Sequence, residues 1–113
     1  MSDAITLSLE SFSQQVLSAS QERLVLVDFW AEWCQPCLVI SPILDRVLND
    51  YKDRIIYTKL EVDEGENMKL AGRYNVRGFP TIMLFRNGEE VERFSGAKPA
   101  PFIKHFLDSN LDS

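Results

Sequence analysis

The most informative segment of the chain is Leu24-Val25-Leu26-Val27-Asp28-Phe29-Trp30-Ala31-Glu32-Trp33-Cys34-Gln35-Pro36-Cys37. Its first seven residues form an apolar run that only Asp28 interrupts. A run of this length, rich in Val and aromatic residues, is typical of a buried central strand. The two cysteines follow directly, where apolar residues begin to recur with helical spacing. The segment therefore predicts a buried strand that leads through a short loop into a helix beginning near Cys34.

On either side of this segment the apolar period changes between two and about 3.6, which predicts alternating strands and helices. Asn87-Gly88 is the strongest short hairpin signal in the chain. Pro42 lies inside the predicted second helix, where it removes one backbone hydrogen bond and is expected to kink the axis. The resulting order, β-α-β-α-β-α-β-β-α, predicts an α/β fold with helices on both faces of a sheet. The predicted elements are a first strand at Ile5, Leu7 and Leu9, a helix capped by Ser8 with Phe12, Val16 and Ala19 on one face, helices over Cys34–Tyr51, Asn67–Tyr74 and Ala100–Leu111, and strands over Leu24–Trp30, Ile55–Val62, Thr81–Arg86 and Glu90–Ser95.

Length and composition restrict the class of protein. The 113 residues fit one domain, residues 1–113, and the 45% hydrophobic content is ordinary for a globular chain. A net charge of −5 argues against a nucleic-acid partner, whose phosphates attract clustered Lys and Arg. The longest apolar stretch, Leu24 to Ala31, is too short to cross a membrane and contains Asp28. The first four residues do not have the pattern of a signal peptide, so we expect a cytoplasmic protein, and a monomer is the default for this size.

The two cysteines admit several interpretations. A zinc site needs four ligands, whereas the chain offers Cys34, Cys37 and the distant His105, to which we assign no role; we therefore expect no metal. A structural disulfide that closes so small a loop would contribute only about 2 kcal/mol and is rare in a reducing compartment. Two inert buried thiols are a further alternative, but the start of a helix beside a loop is an unfavourable place to bury both.

A redox function explains the position of the cysteines better. Free N–H groups and the helix dipole at a helix N-terminus favour a thiolate at Cys34. We therefore expect Cys34 to attack a substrate disulfide, and Cys37, about one turn further and more buried, to resolve the mixed disulfide. Pro36 suits the first turn of a helix, because the N–H that it lacks would have no partner there.

Asp28 is the third candidate for a chemical role. A carboxyl inside a buried strand has its pKa raised by desolvation, so it can exchange a proton near neutral pH. We expect Asp28 to take and return the proton of Cys37. The alternatives are a side chain that reaches water at the strand end, or one that is simply paired with a base. Lys59, in the next predicted strand, is the expected partner in that case.

With these residues the chain resembles the thioredoxin family, and the match extends from about Ile5 to Leu111. Trp-Cys-x-x-Cys directly after Asp-Phe-Trp-Ala is far more specific than a bare Cys-x-x-Cys pair. The matching residues outside residues 27–37 are Pro42, Lys59, Val62-Asp63, Arg77-Gly78-Phe79-Pro80-Thr81, Phe85-Arg86-Asn87-Gly88 and Gly96.

The resemblance implies a thioredoxin fold, with a central mixed sheet of four to five strands and about four helices. It implies a protein-disulfide reductase that binds no cofactor, and whose Cys34–Cys37 disulfide is reduced with NADPH through a separate flavoprotein, thioredoxin reductase. It also implies a cis Phe79–Pro80 peptide bond facing the cysteines, with Lys59 in a supporting role and Trp30 in the core. The implied docking surface for disulfide-containing client proteins consists of Trp33, Pro36, Gly78, Phe79, Pro80 and Gly96.

Two positions depart from the commonest family pattern. Gln35 stands where Gly is usual, and Leu38 stands where Lys is usual. Both positions adjoin the thiols, so we expect altered reduction potential and reductase recognition. Two alternative functions remain: a disulfide oxidant or isomerase, and a docking subunit whose thiols are incidental.

Overall fold

The computed structural model describes residues 3–112, and in this range five strands and four α-helices form an α/β fold. The expected mixed sheet with flanking helices is confirmed. The helix after the cysteines runs on through Pro42. No helix within this range is long and apolar enough to cross a membrane. The elements are β1 (Ile5–Thr6), α1 (Leu9–Phe12), β2 (Leu24–Trp30), α2 (Gln35–Asn49), β3 (Ile55–Glu61), α3 (Met68–Arg73), β4 (Thr81–Arg86), β5 (Glu89–Ser95) and α4 (Ala100–Leu111).

The sheet has the order β1-β3-β2-β4-β5, with β2 at its centre. Strand β2 pairs in parallel with β3, and Asp28 lies opposite Lys59 in that register. On its other side β2 pairs antiparallel with β4, where Asp28 lies opposite Ile82. Residues Leu24 to Phe29 are all buried, as expected for a strand that is covered on both faces.

Successive side chains of β2 point to opposite faces of the sheet. One face carries Val25, Val27 and Phe29, which pack in a cluster with Phe12 and other residues of the N-terminal helical segment. The opposite face carries Leu24 and Leu26, in a cluster with residues of α2 and α4 that includes Ile40, Leu44, Ile103 and Phe106. Asp28 shares the parity of Leu24 and Leu26, so its side chain belongs to the face covered by α2.

The prediction for the first strand was too long. Strand β1 ends at Thr6, and Leu9 is already the first residue of α1. The cause is Ser8, whose side chain accepts the backbone N–H of Ser11 while the Ser11 hydroxyl accepts the N–H of Ser8. This capping box confirms the predicted N-cap, and only Leu7 and Ser8 separate the strand from the helix. The helical segment continues as a π-helix over Ser13–Ser18 and a 3₁₀ turn over Ala19–Gln21.

The hairpin between β4 and β5 turns at the predicted residues. Asn87 and Gly88 have φ values of 55° and 81°, which are the left-handed conformations that this type of tight turn needs. Strand β5 begins one residue earlier than predicted, at Glu89, and the register shifts between Leu84 and Phe85.

Replacing Ser8 with Ala should lower the free energy of unfolding by about 1 kcal/mol, because the N–H of Ser11 loses its side-chain acceptor. Chemical denaturation of the wild type and the variant measures the difference. Ser18→Ala, at an exposed serine of the same helical segment, is the matched control and should change stability by less than about 0.5 kcal/mol. Equal effects of the two substitutions would contradict a capping role for Ser8.

Candidate active site

Cys34 occupies the N-cap of α2, directly after the loop that follows β2. Its sulfur accepts the backbone N–H of Cys37 at 3.2 Å, and the same N–H lies 3.1 Å from the Cys34 carbonyl oxygen. The two cysteines are joined by a disulfide, with their Cα atoms 5.3 Å apart. Pro36 lies in the first turn of the helix, as the sequence predicted. The N–H groups and positive dipole end of a 15-residue helix therefore point at the sulfur of Cys34.

Both sulfur-bearing residues are largely covered. Cys34 is 5% exposed and Cys37 is 2% exposed, so the order of exposure agrees with the prediction although the difference is small. The flanking residues Trp33, Gln35 and Pro36 are exposed, and Trp33 keeps 64% of its surface accessible. The disulfide thus lies just beneath an exposed rim at the end of α2.

Asp28 is a buried carboxyl on the α2 side of the sheet, 1% exposed. Its Oδ1 atom has no hydrogen-bond partner among residues 3–112. Burial raises the pKa of Asp28 to about 7; the positive charge of Lys59 acts in the opposite direction, and the negative charge of Asp45 adds to the rise. The alternative that Asp28 reaches water at the strand end is therefore wrong, because the residues on both sides of it in β2 are buried as well.

Lys59 lies opposite Asp28 in the strand register, but its ammonium group contacts other residues. The Lys59 Nζ donates to the Ser41 hydroxyl at 2.7 Å and lies 3.7 Å from Oδ1 of Asp45. The positive charge of Lys59 thus acts on Asp28, but in the part of the chain that the structure describes the two side chains form no ion pair.

The sequence analysis did not identify Ser41 and Asp45. The signal was present, since Cys37, Ser41 and Asp45 recur at intervals of four and so lie along one face of α2.

The loop before β4 contacts the segment of the cysteines through the ring of Phe79, which lies against Trp33. The Phe79–Pro80 peptide bond is cis, and Pro80 is buried. The Gly96 N–H donates to the Pro80 carbonyl at 3.0 Å, and the Thr81 hydroxyl bonds the Gly78 carbonyl at 2.7 Å. Gly96 has a φ of 92°, a conformation that side-chain-bearing residues rarely adopt. These contacts link three residues of the predicted docking surface, namely Gly78, Pro80 and Gly96.

Trp33 connects this loop with the cysteines. Its ring makes an edge contact with Phe79, with ring centroids 5.9 Å apart. Its indole Nε1–H donates to the carboxylate of Asp63, which lies just after β3. In the sequence Asp63 stands out only as one of the residues that match the family, because a Trp–Asp pair thirty positions apart has no local signature. Trp30 is half-buried against the core cluster, as expected, and His105 is exposed.

Two further apolar side chains are exposed on the first turns of α2. Leu38 is 47% exposed and Val39 is 57% exposed. Gln35 is also exposed, at the first residue of the helix. The two departures from the family pattern therefore lie on the accessible rim of the site. Among the residues that the structure describes, no group of three or more His, Cys, Asp or Glu side chains could hold a metal ion.

Replacing Asp28 with Asn should stabilise the protein in a pH-dependent way. The folded-state pKa of about 7 lies above the ordinary value of 3.8, so the folded state retains a proton that the unfolded state releases. The contribution of Asp28 to wild-type stability is therefore largest below about pH 4 and is lost as the pH rises through about 7. The Asn variant avoids this loss and should be more stable at pH 8 by up to about 4 kcal/mol, with little difference at pH 4.

Denaturant titrations of both proteins between pH 4 and pH 8.5 measure this difference. Asp53→Asn, which removes an exposed carboxyl, is the control and should leave the wild-type pH dependence in place. If the curves of wild type and Asp28→Asn run parallel over the whole range, Asp28 is ionised in the usual way and the argument from burial is wrong.

Comparison with known proteins agrees with this arrangement. The family model described as Thioredoxin matches residues 3–109. The chain is 45% identical over 101 residues to "Thioredoxin" of Pseudomonas aeruginosa, which covers 89% of this chain and 90% of that protein. It is 44% identical over 112 residues to "Thioredoxin" of Acidithiobacillus ferridurans, and 38% identical over 111 residues to "Thioredoxin 1" of Synechococcus elongatus, each covering 98% of this chain and 100% of the relative. The chain therefore belongs to the thioredoxin family, and Cys34 and Cys37 form its redox-active disulfide.

Proposed function

We propose that this chain is a protein-disulfide reductase in which Cys34 is the attacking thiolate, Cys37 the resolving thiol and Asp28 the base that serves Cys37. The observation that carries the proposal is the Cys34–Cys37 disulfide at the N-terminus of α2, in a chain whose central strand also buries the Asp28 carboxyl. A purely structural disulfide would have no use for a buried acid whose pKa is raised to about 7.

The reaction begins with the reduced protein. The Cys34 thiolate attacks one sulfur of the substrate disulfide, the substrate S–S bond breaks, and a mixed disulfide forms. The first substrate thiolate leaves and takes a proton from solvent. The helix end favours the thiolate of Cys34, because partial positive charge at the N-terminus stabilises negative charge there.

In the second step, Cys37 resolves the mixed disulfide. The Cys37 thiol gives its proton to the Asp28 carboxylate, and the resulting thiolate attacks the sulfur of Cys34. The mixed disulfide breaks, the Cys34–Cys37 disulfide forms, and the second substrate thiolate leaves. The second substrate thiolate takes up the proton that Asp28 received from Cys37, directly or through water. Two electrons have then passed from the dithiol to the substrate, and the two protons on the substrate thiols come from solvent and from Cys37. A pKa of about 7 leaves Asp28 about half ionised at neutral pH, so it can both accept and return a proton.

We infer that disulfide-containing client proteins dock on Trp33, Pro36, Gly78, Phe79, Pro80 and Gly96. The edge contact between Trp33 and Phe79 supports this surface, since it joins the segment of the cysteines to the loop before β4, and the hydrogen bond from Gly96 to Pro80 holds the last two members together. Exposed apolar side chains beside close backbone positions suit an extended peptide segment. Lys59 would have a supporting role, because its positive charge opposes the effect of burial on the pKa of Asp28.

We further propose that the chain works as a single domain of 113 residues, as a monomer in the cytoplasm. A reducing compartment suits a protein whose dithiol must be regenerated after each turnover. The electrons would come from NADPH through a separate thioredoxin reductase, in agreement with the membership of the family. No cofactor beyond the Cys34–Cys37 disulfide enters this scheme.

Single cysteine substitutions test the two roles. Cys37→Ser should trap a covalent mixed disulfide between Cys34 and a disulfide-containing protein such as insulin, because the resolving thiol is missing. Cys34→Ser should form no such adduct, or far less of it. Non-reducing electrophoresis followed by mass spectrometry identifies the linked residue. Trapping by Cys34→Ser and not by Cys37→Ser would reverse the roles, and biological function in the double Ser variant would point to a docking subunit.

The reduction potential distinguishes a reductase from an oxidant or isomerase. Thioredoxin has a potential near about −270 mV, whereas protein disulfide isomerase lies near about −180 mV. We expect a value closer to the first, measured by Trp fluorescence in a defined thiol buffer. Gln35 and Leu38 on the exposed rim are expected to shift the value, and Gln35→Gly measures the part due to Gln35. A wild-type value near about −180 mV would overturn the reductase assignment.

A further inference from the structure

A polar cluster lies between α2 and β3, beside the buried carboxyl of Asp28. Its centre is the half-buried ammonium group of Lys59. Ser41 accepts a hydrogen bond from Lys59 Nζ at 2.7 Å, and Oδ1 of Asp45 lies 3.7 Å from the same nitrogen. The Tyr57 hydroxyl donates to that Oδ1 atom at 2.7 Å. The Asp45 carboxylate is therefore held in place by a neutral donor while it faces the ammonium group.

We propose that Ser41 and Asp45 are positioning residues that hold the Lys59 ammonium group away from the Asp28 carboxyl, and so set the pH range in which Asp28 exchanges a proton with Cys37. This inference rests on the proposed function, because it concerns the base that serves the resolving thiol. Neither residue touches a substrate or the reacting sulfur atoms in the scheme above. Their action passes through Lys59 and through the charge of Asp45.

Asp28 and Lys59 are neighbours in the strand register, but the hydrogen bond and the ion pair of Lys59 go to other residues. Asp28 and Lys59 are directly opposite each other on β2 and β3, and both strands send these side chains to the face covered by α2. A lysine in that position would ordinarily pair with the nearest buried carboxylate, because burial makes an unpaired charge costly. Here the hydrogen bond goes to Ser41 and the ion pair to Asp45. Asp28 Oδ1 has no hydrogen-bond partner among the described residues.

The other groups on this face add little charge. Strand β4 places the apolar Ile82 opposite Asp28. Helix α4 contributes Ile103, Phe106 and Leu107 to the core cluster on this side. From α2 comes Asp45, and from β3 come Lys59 and the phenol of Tyr57, whose ring also lies 5.8 Å from the Lys59 nitrogen. Lys59 and Asp45 are thus the charged groups that act on Asp28.

The arrangement matters for the resolving step because a carboxylate paired with an ammonium group is a weak base. If Lys59 were free to approach Asp28, Asp28 would stay ionised to lower pH and would hold a proton from Cys37 less well. With the ammonium group anchored by Ser41 and neutralised by Asp45, Asp28 keeps an affinity for protons that suits neutral pH. The four-residue spacing of Cys37, Ser41 and Asp45 lets one helix supply both the resolving thiol and the two anchors.

Direct titration of Asp28 tests the inference without any turnover. The side-chain carboxyl carbon of Asp28 is followed by NMR against pH in the oxidised protein. Asp45→Asn should move its titration midpoint to lower pH by about one pH unit, because the repulsion from Asp45 is lost and Lys59 is no longer neutralised. Ser41→Ala should move it in the same direction by a smaller amount. Asp45→Glu, which keeps the charge, should restore most of the wild-type midpoint.

Two controls separate this effect from a general loss of charge or structure. Asp50→Asn removes another carboxylate at the exposed end of the same helix and should leave the midpoint unchanged. Lys59→Met should move the midpoint to higher pH. In the Lys59→Met background, the shift caused by Asp45→Asn should shrink and that caused by Ser41→Ala should disappear, because both anchors act on a group that is absent. The Ser41→Ala series decides the question if Asp45→Asn does not fold.

The kinetic readout is the resolving step itself. Reduced protein is mixed with an aromatic disulfide that releases a coloured thiolate, and the second release reports attack of Cys37 on Cys34. The acid limb of its pH profile should move with the Asp28 midpoint in Asp45→Asn and Ser41→Ala, and stay in place in Asp50→Asn. An Asp28 midpoint that does not move in either anchor variant overturns the inference, whatever the activity. A midpoint that moves while the pH profile of the resolving step does not would instead overturn the proposed role of Asp28 as base.

Discussion

The burial of β2 on both faces is the constraint on which the rest of the molecule depends. Because β2 lies at the centre of the sheet, its odd-numbered residues are committed to the cluster with α1, and its even-numbered residues to the cluster with α2 and α4. The pairing with β3 and β4 then sets the point where the chain leaves the sheet. That point carries the loop to Cys34, so the sheet determines where the disulfide lies relative to α2 and to Asp28.

The burial of Asp28 in β2 lowers the stability of the folded protein at neutral pH, but it also gives the carboxyl a pKa that suits proton transfer. An ionised carboxylate in this position is poorly solvated, and the molecule does not compensate it with a direct ion pair. The nearby cation is instead engaged by Ser41 and Asp45. A carboxyl that costs stability at neutral pH is a general feature of sites that move protons, since a fully paired carboxylate would have no tendency to take one. The buried carboxyl therefore makes the core less stable at neutral pH than an entirely apolar core would be, and the cost is concentrated at Asp28.

The parts of the fold predicted from the sequence were those with strong local signals. The buried run Leu24–Trp30, the turn at Asn87-Gly88 and the closing helix Ala100–Leu111 were confirmed at or within a residue of their predicted bounds. The prediction failed at Leu9, where alternation suggested a strand but the capping box of Ser8 started a helix. Apolar alternation over three residues is too short to compete with a specific pair of side-chain-to-backbone hydrogen bonds.

The sequence by itself determined the family, the two thiols at the start of a helix, and the carboxyl in a buried strand. Each of these features depends mainly on residues that are close together along the chain. Only the tertiary structure decided what surrounds that carboxyl. The contacts of Lys59 with Ser41 and Asp45, of Trp33 with Phe79 and Asp63, and of Gly96 with Pro80 join residues that are 14 to 46 positions apart in the chain. Such contacts depend on strand register and helix rotation, which arise when the sheet and its helices pack and which no local pattern encodes.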